Sequence, residues 1–253
     1  MGNEKRQIID LSQVKAACQS CSLQELCLPY GIGPEDLAAL DQIVKRKRPL
    51  SRGAHVYRTG DPFRSVYAVR SGAVKTYAVT DEGYEHVTGF HLPGELLGLD
   101  AIIRGEHTCS ARALDTTSLC EIPFDQLESL AGQIRGLQRQ LLRLMSQEIQ
   151  QDEELLLLLG KKTAEERLAT FLLSLSKRYS NLGYSAMEFN LSMSRNDIAN
   201  YLGLAVETVS RLFTRFQDQG LLEVQNRYIR LHEPRALRLL AGGQHGSDDA
   251  ARA

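Results

Sequence analysis

Residues 133 to 159 contain no proline and a single glycine, Gly136. Leucines recur three and four positions apart, and the residues that break a helical hydrogen-bond ladder are missing, so the stretch reads as one long helix. Two apolar stripes run along it. Ile134, Leu137, Leu141, Leu144, Leu155 and Leu158 form one, suited to packing on the chain's own domains. Leu142, Met145, Ile149, Asp152, Leu156 and Leu159 form the other, with the alternating three-four spacing of a coiled-coil seam. A helix with two apolar faces has to be covered twice, and a second copy of the chain is the expected second cover. Asp152 is the one polar member of that seam. In a parallel pair its two copies would stand side by side, and at ~5 Å their repulsion is roughly 1 to 3 kcal/mol. The seam is therefore built to pair weakly, as a switch requires, because a small coupling free energy then moves the population.

The helix divides the chain into unlike halves. Before it, residues 45 to 125 hold short stretches such as "SVYAVR", "AVKTYAVT" and "EHVTGFHL", parted by Gly60-Asp61-Pro62, Ser71-Gly72, Asp81-Glu82-Gly83 and Pro93-Gly94. Strands this short, at this spacing, predict a small antiparallel roll. After it, residues 163 to 179 and 194 to 218 return to helical periodicity, and "LLEVQNRYIRL" reads as a hairpin turning at Asn226-Arg227. The expected class is α+β. An N-terminal cysteine segment spans 1–29 and a β-roll sensor domain 30–130. A dimerisation helix follows at 131–159, then a winged helix-turn-helix at 160–241 and a disordered tail at 242–253. The longest unbroken apolar run, Leu155 to Leu159, falls far short of the ~20 residues that span a bilayer, and the first thirty residues are not signal-like. A cytoplasmic protein is expected.

The stretch "SRNDIANYLGLAVETVSRLFTRF" has helix-turn-helix spacing. Ser194 can cap the first helix with Asp197 as its capping-box partner. Ala199 is small where the helices cross, Gly203 can take the positive φ of the turn, and Val209 faces the shared core. Ala205 stands where the second helix lacks a capping hydroxyl. Glu207, Ser210 and Arg211 share one face near the start of that helix, the end that enters a major groove. Arg211 suits a guanine O6/N7 pair, Glu207 a cytosine amino group, and Ser210 a base edge or thymine methyl. Arg227 and Arg230 on the hairpin are available to phosphates, which position a protein without specifying sequence. Residues 160 to 241 carry 12 Lys and Arg against 8 Asp and Glu, while the whole chain has a net charge of −1. The basic excess sits in the half expected to meet DNA.

Three of the five cysteines, Cys18, Cys21 and Cys27, form C-x2-C-x5-C near the N-terminus. An odd count in a reducing compartment argues against a disulfide framework and for metal ligation or redox sensing. A fourth thiolate would complete a site suited to iron-sulfur or zinc. Cys109 and Cys120 are both available. Closing a loop to either costs the same within roughly 0.1 kcal/mol, and Cys109 shares its strand face with Ala111 and Ala113, so the residues alone leave the choice open.

The sensor roll, long helix and winged helix-turn-helix, in this order, resemble the CRP/FNR superfamily of bacterial transcription factors, whose sensor domain is cyclic-nucleotide-binding-like. "CQSCSLQELC", "TGFHLPGELLGLDAI", "LCEIPF", "RLMSQEI", "LLLLGKKTAEERLA" and "NYLGLAVETVSRLFTRFQ" resemble its oxygen-sensing FNR/Anr branch over residues 15 to 241. The resemblance implies an oxygen-labile 4Fe-4S cluster on Cys18, Cys21, Cys27 and, through the "CEIPF" stretch, Cys120, with 2Fe-2S formed on exposure to oxygen. Ser22 occupies the position that tunes the cluster's reactivity in this branch. The cluster-loaded homodimer is implied to bind double-stranded DNA at an inverted repeat like TTGAT....ATCAA, read by Glu207, Ser210 and Arg211. RNA polymerase is the implied partner of an activating turn at "VTDEGYEHV", where Tyr84 replaces an acidic residue of the best-known relative.

Three other readings are open to the same residues. Glu95 in "PGELLG" resembles part of the phosphate cassette of the cAMP-binding relatives, but His107-Thr108 stands where their Arg-Ser pair would be, without a guanidinium for the cyclic phosphate. No cyclic nucleotide is expected. Haem sensing by His86 or His91 would leave the cysteines unexplained. An iron-sulfur electron carrier or enzyme would show no salt-dependent DNA binding, and no Ser/His/Asp set, glycine-rich phosphate loop or helically spaced carboxylate pair supports catalysis. A regulator without enzymatic activity, and without a membrane association, is the expectation.

Overall fold

The computed structural model describes residues 18–80 and 82–242. The expected disordered tail beyond Gly242 and the first part of the cysteine segment lie outside the described residues. After a single 3₁₀ turn at Cys18–Ser20 comes α1 (Pro34–Ile43), with Pro34 in its first turn and Glu35 and Asp36 complementing its dipole. Eight strands follow: β1 (Lys45–Arg46), β2 (His55–Tyr57), β3 (Ser65–Ser71), β4 (Val74–Val79), β5 (Glu85–His91), β6 (Leu96–Leu97), β7 (Ser110–Ala113) and β8 (Ser118–Pro123). They make two four-stranded antiparallel sheets, ordered β1-β8-β3-β6 and β2-β7-β4-β5. The glycines expected at the turns, Gly60, Gly72, Gly83 and Gly94, all have φ between 81 and 91°.

Strand alternation separates two cores in the roll. Tyr57, Val69, Val74, Leu97 and Ala111 meet between the sheets, whereas Val66, Ala68 and Ile122 point from the first sheet towards the helices, where they join Leu28, Leu37, Leu40 and Leu127. A short helix, α2 (Phe124–Gln133), ends at the extended residue Ile134, and α3 (Arg135–Lys161) runs on for 27 residues. The inward stripe of α3 serves both halves. Ile134, Leu137, Leu141 and Leu144 pack on the roll, and Leu155 and Leu158 on the C-terminal core.

That C-terminal core is built by α4 (Ala164–Asn181), α5 (Arg195–Leu202), α6 (Val206–Asp218) and α7 (Pro234–Leu240), with a three-stranded sheet of β9 (Glu188–Asn190), β10 (Leu222–Gln225) and β11 (Tyr228–Leu231) in the order β10-β11-β9. The helix-turn-helix follows the local signals. Ser194 Oγ accepts from Asp197 N at 3.1 Å while Asp197 Oδ2 accepts from Ser194 N at 3.0 Å. Gly203 is left-handed at φ 62°, Ala199 and Val209 are buried, and Ala205 provides no side-chain cap. Asn226 takes φ 57° at the tip of the β10-β11 hairpin.

The C-terminal half is docked on the roll. Lys75 on β4, 4% exposed, reaches Asp197 Oδ1 at 2.7 Å and Glu85 Oε2 at 2.9 Å. Asn200 on α5 accepts from Val87 N at 2.6 Å and donates to the Glu85 carbonyl. Arg178 on α4 forks onto Glu95 and donates to the Phe90 carbonyl. Phe90, Phe171 and Tyr201 pack as a ring cluster with centroids 5.1 to 6.0 Å apart. Among the described residues no helix is long and apolar enough to cross a membrane.

Candidate functional site

The cysteine region is assembled from separate pieces of chain. The segment from Cys18 to Ile32 is a succession of turns, each closed by a backbone hydrogen bond such as Cys21 N to Cys18 O at 3.2 Å and Cys27 N to Leu23 O at 3.1 Å. Leu28 is buried and anchors the segment in the helix-side core of the roll. Cys18 and Cys27 pack against that core. So does Cys120, because β8 turns Cys120 and Ile122 to the helix side and Leu119 to the other. Cys109 lies elsewhere, packed with Tyr57 and Ala111 between the sheets.

Electrostatics tells the same grouping apart. Burial pushes the Cys27 thiol up to about 12, and the charges of Cys120, Cys18 and Cys21 add to the effect. The Cys18 thiol is pushed up to about 12 by burial, then by its hydrogen bond to Asp41, with Arg46 opposing. Burial raises Cys120 against the pull of Arg46 and Arg70. Arg46 and Asp41 pair with each other beside this region, Arg46 Nη2 lies 3.5 Å from Cys18 Sγ, and Asp41 Oδ1 accepts from Cys18 N at 2.8 Å. Cys109 also rises to about 12, but through burial and Asp100. Among the described residues no three His, Cys, Asp or Glu side chains are gathered tightly enough to grip a single metal ion. Ser22 is exposed beside Cys21.

On α6, Glu207, Ser210 and Arg211 are all exposed on one face of the helix. Ser210 Oγ is committed as a donor to the Val206 carbonyl at 2.9 Å. Arg195 stacks on Phe213, its guanidinium 3.5 Å from the ring centroid, and ties α5 to α6. The hairpin arginines are partly exposed and each is paired within the chain. Arg227 pairs with Asp115 of the roll at 3.0 Å, and Arg230 pairs with Glu188 at 2.9 Å, so both already have acidic partners within the chain.

Along α3, Leu142, Ile149 and Leu156 are 62, 59 and 72% exposed, Met145 is exposed, and Asp152 lies with them on the surface. Leu159, expected to close the same seam, is half-buried against the helix-turn-helix core. The seam bends inward there because α3 has to hand over to α4.

The other sensor residues singled out in the sequence have partners within the chain or lie on its surface. Glu95, the carboxylate resembling part of a phosphate cassette, is occupied by Arg178. His107 stacks on Tyr57 at 3.6 Å and faces Asp100 at 3.3 Å. His91 is buried with Nε2 3.2 Å from Thr76 Oγ1, burial lowering its pKa, and His86 is exposed on the same strand. Between the roll, α3 and α4 lies a cavity of about 440 Å³ bordered by His91, Glu95, Gln140, Glu148 and Arg178.

Comparisons with known proteins agree with this architecture. Residues 47–133 match the cyclic nucleotide-binding domain and residues 166–240 the Crp-like helix-turn-helix domain. The chain is similar to the transcriptional activator protein Anr of Pseudomonas aeruginosa, 55% identical over 91% of this chain and 94% of that protein. It is also similar to the fumarate and nitrate reduction regulatory protein of Escherichia coli K12, 49% identical over 89 and 90%. Among solved structures it resembles FixK2 from Bradyrhizobium japonicum, with a TM-score of 0.73 and 33% identity over 81% of this chain and all of that one. These relatives are regulators rather than enzymes, and the chain belongs to the CRP/FNR family of transcription regulators, in its FNR/Anr branch.

Proposed function

We propose that the chain is an oxygen-responsive transcription regulator. Without oxygen it would hold a 4Fe-4S cluster through Cys18, Cys21, Cys27 and Cys120, pair through α3, and bind an inverted-repeat operator like TTGAT....ATCAA to activate or repress genes of anaerobic metabolism. The observation that carries this reading is that Cys18, Cys27 and Cys120, far apart in sequence, pack against one core, while Cys109 belongs to another. Four thiols, bordered by apolar side chains and by the cations of Arg46 and Arg70, are a donor set that fits such a cluster, whose net negative charge those cations would offset.

When bound, the cluster would supply the oxygen-dependent chemistry, 4Fe-4S giving way to 2Fe-2S in air. The chain's residues do the rest. Leu28 and the turns around it hold the cysteine segment between the roll and α3. Leu142, Met145, Ile149 and Leu156 drive pairing and Asp152 opposes it, with Leu159 turned into the C-terminal core, so loss of the anchored segment releases monomers from DNA. Glu207, Ser210 and Arg211 of the two protomers read half-sites one helical turn apart, about 34 Å. RNA polymerase is met by the turn between β4 and β5, where Tyr84 is exposed. No cyclic nucleotide is needed, since Arg178 already takes Glu95 and no guanidinium stands at His107-Thr108.

Ligand identity is tested by replacing each candidate and counting iron and sulfide per chain after anaerobic purification. Cys120→Ser is expected to lose the cluster and anaerobic operator binding, and Cys109→Ser to keep both. The reverse pattern would overturn the assignment.

A further inference from the structure

We propose that Gln140 is the positioning residue through which the cysteine segment acts on the dimerisation helix, an inference that rests on the cluster reading above. Gln140 is 5% exposed, an unusual place for an amide on a helix whose other polar residues face water or, at Glu148, are half-buried. Its Nε2 donates to the backbone carbonyl of Cys27 at 3.1 Å. Two further contacts fall on the same stripe of α3. At Gly136 an added methyl would stand 3.3 Å from the Gly31 carbonyl, so glycine permits the close approach, and Arg143 lies over the Tyr30 ring with its guanidinium 4.4 Å from the centroid. Positions 136, 140 and 143 therefore face residues 27 to 31 over two turns of helix.

Leu142, the first residue of the seam, stands about 200° round the helix from Gln140. The cysteine segment and the pairing surface thus press on opposite sides of the same turn. Of the three contacts, the one at Gln140 is directional and is made to a cysteine's own peptide. With the Cys27 sulfur held, its carbonyl stays aimed at the amide and α3 is fixed in one position along the roll. Once the segment moves, a buried donor has to follow its acceptor or lose it, and the seam moves with it.

The test separates transmission from packing. Gln140→Met keeps the length of the side chain and removes the donor. Gln140→Glu keeps its shape and turns an acceptor towards the carbonyl, and Arg143→Ala removes the neighbouring stack. For wild type and each variant, iron and sulfide are counted and the dimer dissociation constant is measured by sedimentation, first anaerobically and again after air. The expected result is that Gln140→Met carries wild-type iron, has an aerobic constant within about twofold of wild type, and pairs about tenfold more weakly without oxygen, so the ratio between the two conditions collapses. Gln140→Glu should do the same, and Arg143→Ala should lower the ratio less. An unchanged ratio in the Gln140 variants, whether both constants shift together or neither does, would reduce Gln140 to packing and overturn the proposal. A folded Gln140→Met chain that loses its iron would also overturn it, by making the residue a support of the site. Wild-type protein that takes up no iron would bring down the cluster reading itself, and this one with it.

Discussion

Glu148 lies one turn before Asp152 on α3 and borders the cavity between the two halves. Burial raises its carboxyl from an ordinary 4.5 to about 7, the charges of Asp152 and Glu95 adding to the rise and Arg178 opposing it. The folded chain therefore prefers the protonated acid. Its penalty is absent below about pH 4.5, grows as pH rises, and is complete above about 7. Glu148→Gln is expected to raise the melting temperature relative to wild type at pH 8 and by clearly less at pH 5.5. Equal gains at both would show that the charge of Glu148 is not what costs stability. At this scale, what was legible in the sequence was what is decided locally. The Ser194-Asp197 capping box and the left-handed Gly203 depend on residues within ten positions of each other, and both formed as read. The environments of Cys109 and Cys120 depend on which side of a sheet each strand turns to the helices, and no short-range pattern carries that. Gln140, a buried glutamine in a polar run, has no sequence signature until its acceptor, 113 residues away, is placed.

The long helix shows what an element's pattern fixes and where neighbours override it. Its inward stripe packs on two cores and its outward stripe is left on the surface, as spacing dictates, except that Leu159 turns in with the start of the next domain. Asp152 stands among exposed apolar residues, where any partner helix would have to meet it. Asp152→Ala is accordingly expected to lower the dimer dissociation constant of cluster-free protein, by up to the roughly 1 to 3 kcal/mol of the removed repulsion. Unchanged sedimentation would remove Asp152 from the switch. Four elements are not legible in the sequence: α1, α2, α7 and β9 are 10, 10, 7 and 3 residues long, too short for a clear period, and α1 and α7 each open on a proline that reads as a breaker unless it is recognised as the first helical residue.

For the whole molecule, the order of roll, helix and winged helix-turn-helix was legible because each part has its own period and turn chemistry. The docking of the halves was not. Lys75 meets Asp197 across 122 positions and Arg227 meets Asp115 across 112, each pair coming together only once both folds exist. Asp197 caps the first helix of the helix-turn-helix and also fastens it to the roll. In the proposed function, thiolate-held iron supplies the coupling that pairs the chains on DNA. The most direct test is sedimentation of anaerobically purified protein with a palindromic operator, iron and sulfide counted in the same sample, before and after air. Close to four irons per chain and an operator-bound dimer are expected before air, then monomers with the operator released. An iron-free preparation that still binds the operator as a dimer would contradict it.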